Sequence, residues 1–184
     1  MRIIGGELGG RRIRPPASMP YTRPTTDIAR EGLFNILQHQ LSFTGMKTLD
    51  LFGGTGCISY ELASRGAADL TVVEKDPAMH AFITRTMKEL KIDDAHVVKT
   101  DVFRYMDQCR ENFDFIFAGP PYALRQIDDL PVLVVEKKLL KPGGWFVLEH
   151  TPANNYHGYA LFAAERNYGT TVFSFFVNNK VSQE

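Results

Sequence analysis

The chain of 184 residues is long enough for one well-buried domain and too short for two of ordinary size. Hydrophobic residues make up 44% and charged residues 23%, a globular composition, and no apolar run reaches the roughly 20 residues that cross a bilayer. Formal net charge is zero, so total charge carries no sign of a nucleic-acid partner, whereas its distribution does.

Residues 1–30 hold Arg2, Arg11, Arg12, Arg14, Arg23 and Arg30 against only Glu7 and Asp27, a local balance of +4. All six cations are arginine, which grips phosphate bidentately and stacks on bases better than lysine does. Gly5 with Gly6, Gly9 with Gly10 and Pro15 with Pro16 punctuate two short runs, Arg2, Ile3, Ile4 and Arg12, Ile13, Arg14. That pattern predicts a small β-hairpin outside the main sheet. Such an appendage has little core of its own, which favours a binding role, and an RNA-facing arm over residues 1–22 is expected. A solvated basic terminus is the plainer alternative. Thr25, Thr26 and Asp27 then offer capping chemistry to a helix whose apolar stripe is Ile28, Leu33, Phe34 and Leu37.

The most informative stretch follows. Thr48, Leu49, Asp50, Leu51 and Phe52 read as a strand that carries an acid and runs into Gly53, Gly54, Thr55 and Gly56. Residues 57–65 suit a helix face, so strand, glycine turn and helix open a nucleotide-binding unit. A phosphate loop of the dinucleotide type wants three spaced glycines, and counted from Gly54 the third falls on Ser59, while the P-loop lysine is absent. A ligand of nucleoside type is favoured over an empty turn. The run 70–73 is the next strand, with Glu74 at its carboxyl end, where a carboxylate meets a ribose diol, and Lys75 beside it. Asp76 and Pro77 start a helix with Met79, Phe82, Ile83, Met87 and Leu90 as core.

Residues 96–98 form a third strand. Asp101 follows, able either to accept from an adenine amine or to cap the helix behind it, with Val102 next. Residues 113–118 are a fourth strand that ends in Gly119, Pro120, Pro121 and Tyr122. Two prolines lock the chain and remove two N–H donors, leaving outward carbonyls beside an aromatic ring: a cradle for a planar base that bears an amine. Residues 127–140 read as a helix interrupted near Pro131, residues 141–144 as a sharp turn and 145–149 as a fifth strand. His150 is expected to be structural. A hairpin over 160–166 and 170–177, turning at Asn167, Tyr168 and Gly169, ends the chain. The α/β result is a Rossmann-like fold with a seven-stranded, mostly parallel sheet and a C-terminal antiparallel hairpin.

Asp50, the glycine run, Glu74, Asp101 and the Pro-Pro-Tyr cradle together resemble a class I S-adenosylmethionine-dependent methyltransferase acting on an exocyclic amine. The segments Met1 to Gly6, Arg23 to Asp27 and Arg30 to Asn35 are similar to the bacterial RsmD family. The resemblance implies methylation of guanine N2 in 16S ribosomal RNA, with S-adenosylhomocysteine as product. It implies a methyltransferase domain over 23–184 and cofactor contacts from Thr25, Asp50, Phe52, Gly53, Gly54, Thr55, Gly56, Glu74, Lys75, Asp101 and Val102. Catalytic contacts fall to Gly119, Pro120, Pro121 and Tyr122, and RNA contacts to the six arginines. The expected partner is ribosomal RNA or the small ribosomal subunit, with a monomer, no metal and no membrane. Cys57 and Cys109 make no metal-type pair, there is no signal-peptide core, and a cytoplasmic home is expected.

One position departs from the family. Its members usually carry Asp or Asn where this chain has Gly119, so one acceptor for the target amine is missing. The chain either works slowly or recruits Asp27, Glu149 or a water. Methyl transfer to another amine (DNA adenine or a protein side-chain amide) stays open, as does a weakly catalytic assembly factor that binds cofactor and RNA.

Overall fold

Helices begin in this chain where a side chain can take up the first free N–H groups. The structure is a computed structural model and describes residues 1–19 and 24–179. In α1 (Asp27–Gln40) the Thr26 hydroxyl accepts from the Ala29 N–H at 3.2 Å. Helix α2 (Cys57–Ser64) differs: its cap is Gly56 in the left-handed region, with no side-chain bond. For α3 (Pro77–Glu89) the Asp76 carboxylate accepts from Met79 N–H at 2.9 Å, and Pro77 takes the first position. The Asp101 carboxylate does the same for α4 (Val102–Gln108), accepting from Phe103 and Arg104 at 2.9 and 3.2 Å.

Helix α5 spans Asp129–Glu136, shorter than the expected 127–140 and without the expected interruption. Pro131 is its third residue, where an N–H has no partner inside the helix anyway. The end comes early because Lys138 turns to φ +53, and Leu140 already belongs to a strand.

Seven strands are described, β1 (Lys47–Asp50), β2 (Asp69–Val73), β3 (Ala95–Val98), β4 (Phe113–Ala118), β5 (Leu140–His150), β6 (Phe162–Tyr168) and β7 (Thr171–Val177). They form one sheet in the order β3-β2-β1-β4-β5-β7-β6. Strands β1 to β5 pair in parallel, and β7 runs against both β5 and β6. The turn expected at 141–144 lies inside β5. Pairing with β4 jumps from Phe113↔Leu140 to Phe115↔Trp145, and the intervening residues bulge, with Gly143 at φ +77.

Parallel strands covered on both faces read as continuous apolar runs, and β4 is the clearest case. Its Phe115 and Phe117 pack with Leu33, Phe34, Ile58 and Leu62 from α1 and α2. On the other face, Ile116 and Ala118 pack with Met106 of α4 and Leu130 and Val134 of α5.

The first 13 residues change the picture of a loose appendage. Arg2 and Arg12 form an isolated antiparallel bridge outside the sheet, and Ile3 and Ile13 are 2% and 6% exposed, packed with Tyr60, Met79 and Phe82. Glu61 of α2 is fully buried, and its carboxylate accepts from the Ile4 and Gly5 N–H groups at 2.9 and 2.8 Å. The arm therefore roofs α2, and its own side chains complete a core. Arg23 and the expected boundary between residues 22 and 23 lie outside the described residues. Among those described, no helix is long and apolar enough to cross a membrane.

Candidate active site at the carboxyl rim of the sheet

Ligands of open α/β sheets bind beyond the carboxyl ends of the strands, where the strand order reverses. Here that point lies between β1 and β4. Asp50, the last residue of β1, is 2% exposed, and its Oδ2 accepts from the Ser59 hydroxyl at 2.8 Å. Ser59 is the residue that breaks the three-glycine pattern, and tying down Asp50 is what its side chain does. Asp50 Oδ1 is buried and meets no donor in hydrogen-bonding geometry among the described residues. Burial pushes the Asp50 carboxyl up to about 7; Glu74 and Glu149 add to this, while the Ser59 hydroxyl and the Phe52 amide oppose it. A buried carboxyl oxygen without a donor, in a field that Glu74 and Glu149 make more negative, suits a ligand that is a donor and a cation.

The glycine turn is held from both sides. Gly53 N–H donates to Val73 O at 2.9 Å and Gly56 N–H to Gly53 O at 2.7 Å. A Cβ on Gly53 would stand 2.8 Å from Val72 and 2.9 Å from Ile83, and one on Gly56, at φ +82, would stand 2.4 Å from the Tyr60 ring. Only glycine lets the turn lie this close to β2, α3 and α2. Gly54 N–H donates to Glu74 Oε2 at 2.8 Å, and Asp76 N–H to Glu74 Oε1 at 2.8 Å. Two backbone donors thus fix this carboxylate at the end of β2, and each of its oxygens has a second acceptor site. Thr55 is buried, Phe52 is half-buried against the core, and Lys75 is exposed. Asp101 serves as the cap of α4 through Oδ1, and Val102 is 6% exposed.

On the other side of the reversal, Gly119 and Pro120 follow the end of β4, Pro121 is exposed and Tyr122 is half-buried. The Tyr122 hydroxyl donates to Glu149 Oε1 at 3.2 Å and lies 3.1 Å from Thr171 Oγ1. Glu149, 4% exposed near the end of β5, also accepts from the Thr25 hydroxyl at 2.6 Å. Thr25, Tyr122 and Glu149 are therefore one unit on the same rim as Asp50. Its centre is Glu149, which the sequence offered as one possible substitute acceptor and did not count among the site residues. Nothing in a Leu-Glu-His strand end marks it; the pairing of β5 with β4 does.

His150 turns away from the rim. Its Nδ1 faces Thr151 O, an acceptor only, at 2.7 Å, so that nitrogen carries the proton and Nε2 accepts from Ser174 Oγ at 2.7 Å. Burial pulls its pKa below the ordinary value. It is a neutral core histidine.

The arginines divide. Arg2, Arg11, Arg12 and Arg14 are exposed. Arg12 and Arg14 line an open groove of about 540 Å³ with Phe82, Arg85 and Glu89 of α3, away from the rim. Arg30 corrects the expectation of an RNA contact: it is 1% exposed, donating to Arg2 O at 2.7 Å and to Asp27 Oδ1 at 2.9 Å. It pins the arm to α1 and cannot reach a phosphate outside.

The family model described as Conserved hypothetical protein 95 matches residues 1–177. The chain belongs to this family. The resemblance to RsmD proteins is borne out by a relative of that kind: Ribosomal RNA small subunit methyltransferase D of Escherichia coli K12 is 33% identical over 149 residues, 81% of this chain and 71% of the relative. Among solved structures, a Thermus hypothetical protein (TTHA0928) superposes with a TM-score of 0.83 at 28% identity, over 96% of this chain and 98% of that one. An RNA methyltransferase of Salinibacter ruber in complex with S-adenosylhomocysteine shares the fold at a TM-score of 0.64 and 15% identity, over 88% and 98%. The RsmD-family chain is thus a class I methyltransferase in architecture.

Proposed function

We propose that this protein transfers a methyl group from S-adenosylmethionine to the N2 amine of a guanine in 16S ribosomal RNA. Methylation of ribosomal RNA is the activity named for its relatives, and the nucleobase and the nitrogen are the finer part of the reading. The observation that carries it is the convergence, at one strand-order reversal, of an acid-lined glycine turn with a Pro-Pro-Tyr cradle whose tyrosine is tied to Glu149.

Bound S-adenosylmethionine supplies a methyl group on a sulfonium, already electrophilic, so alignment is what the protein has to add. Asp50 Oδ1 and Glu74 would hold the donor groups and positive charge of the cofactor, and Gly53, Gly54 and Gly56 keep the turn clear of side chains. Thr25, Phe52, Thr55, Lys75, Asp101 and Val102 are the remaining proposed cofactor contacts. Guanine N2 is a poor nucleophile because its lone pair is delocalised into the ring. A carbonyl of Gly119 or Pro120 accepts from one of its N–H groups and helps return that pair to nitrogen, while Pro121 and Tyr122 fix the base plane. Stacking of this sort is worth about 1–3 kcal/mol. Arg2, Arg11, Arg12 and Arg14 supply phosphate contacts.

Mapping N2-methylguanosine in 16S ribosomal RNA from a deletion strain tests the reading. One guanine should lose its methyl, and plasmid-borne protein should restore it. An unchanged methylation map of 16S ribosomal RNA would overturn the assignment.

A further inference from the structure

Position 119 has no side chain to accept from the target amine, and a carboxylate from another strand stands beside it. A Cβ built on Gly119 would lie 3.2 Å from Glu149 Oε2 and 3.0 Å from Phe117 Cε1. Glu149 is 4% exposed. Register explains the meeting: Ala118 pairs with Leu148, so the residues after them, Gly119 beyond the end of β4 and Glu149 still in β5, come side by side. Two hydroxyls orient the carboxylate, Thr25 on Oε2 at 2.6 Å and Tyr122 on Oε1 at 3.2 Å. The other candidate acid, Asp27, is half exposed and engaged with Arg30 on the outside of α1.

We propose that Glu149 is the missing acceptor: its carboxylate occupies the neighbourhood that an acidic side chain at 119 would fill, and takes the hydrogen bond from the reacting amine. The inference rests on reading the protein as an amine methyltransferase. In the step, the N2 lone pair forms the N–C bond and the S–C bond breaks with its electron pair returning to sulfur. The proton shed by N2 goes to the Glu149 carboxylate and from there to water. A Cβ at 119 would need Glu149 Oε2 and the Phe117 ring to give by a few tenths of an ångström, and an acidic group placed there would stand beside a second carboxylate that repels it.

Four proteins decide it: wild type, Glu149→Gln, Gly119→Asp and the double variant. Each is assayed on 16S ribosomal RNA or on small subunits from the deletion strain, with cofactor affinity from calorimetry and melting curves between pH 5 and 8. Glutamine keeps the shape and can bond both hydroxyls, its oxygen accepting from one and its NH2 donating to the other, so that variant should fold, but it cannot take up the proton shed by N2. It is expected to lose about 10²-fold in kcat with cofactor affinity within about threefold of wild type. Gly119→Asp alone should give no gain in turnover and a lowered melting temperature that recovers as the pH falls. In the double variant the acid at 119 should regain most of the lost rate and the melting penalty should vanish. Retention of wild-type kcat by Glu149→Gln, or a folded double variant no faster than it, would overturn the inference while leaving the activity standing. A wild-type protein that methylates no RNA would instead sink both.

Discussion

Asp50 has a titration that a cationic ligand at its Oδ1 would feel. Burial raises its carboxyl to about 7, with Glu74 and Glu149 contributing. The folded chain therefore holds this proton more tightly than the unfolded one, and the stability it contributes is complete below about 4 and lost as pH rises through about 7. A cationic ligand at Oδ1 reverses the preference, because a nearby positive charge favours the carboxylate. Cofactor binding should then release close to one proton at pH 6 and almost none at pH 8.5, with affinity rising between those values. Calorimetry in buffers of differing ionisation enthalpy reads this directly. In Asp50→Asn the release should disappear, and a binding enthalpy that ignores the buffer in wild type would show the carboxyl to be ionised beforehand. His150 acts in the opposite sense on stability: its lowered pKa means that stability is lost as pH falls below about 6.5.

Among the elements, α2 and the N-terminal arm depend on each other. Residues Cys57 to Leu62 and Ser64 are buried, a burial that an isolated surface helix would not have, because the arm lies across the outer face. The join is polar: Glu61 takes two arm N–H groups and pairs with Arg65 at 3.0 Å, and Ser64 O accepts from Glu7 N–H at 2.7 Å. Glu61→Ala would leave two N–H donors and a cation without their partner, and should cost about 3 kcal/mol in denaturant unfolding. Amide exchange at Ile4 and Gly5 should accelerate before that in the sheet. Equal protection in both proteins would mean that the apolar pair Ile3 and Ile13 holds the arm alone. Because Gly56 heads the same helix, slack in the arm should reach the glycine turn and weaken cofactor binding.

At the scale of the whole molecule, the rim and the N-terminal arm differ in charge. The rim carries Asp50, Glu74, Asp101 and Glu149, while Arg2, Arg11, Arg12 and Arg14 are exposed on the arm, with Arg85 of α3 beside the last two. A chain with no net charge can in this way carry a basic arm and an acid-lined cleft, as the proposed RNA and cofactor contacts require. Replacing Arg11, Arg12 and Arg14 together by serine should weaken RNA binding and lower the slope of log affinity against log salt by up to about 3, with melting temperature unchanged. An unaltered slope would remove the arm as the RNA contact. Arg30 is the internal control: it is equally basic in sequence, yet buried, so its replacement should cost stability.

Much of this was legible in the amino-acid sequence. Local chemistry fixes what is local: the caps Thr26, Asp76 and Asp101, the glycine turn, the apolar strands and the terminal hairpin all follow from residue types at short spacing, and the strand alternation dictates the sheet. What required the tertiary structure is every contact made across strands. Sequence marks Arg30 as one of six similar cations, and only the docking of the arm on α1 buries it. It shows Ser59 as a failed glycine, and only the packing of α2 on β1 brings its hydroxyl to Asp50. It shows Gly119 as a lost acceptor, and only the register of β4 with β5 sets Glu149 beside it. Such partners are separated by tens of residues, so no period or spacing encodes them; they meet because the sheet closes in one order, and burial then decides which charges stay outside.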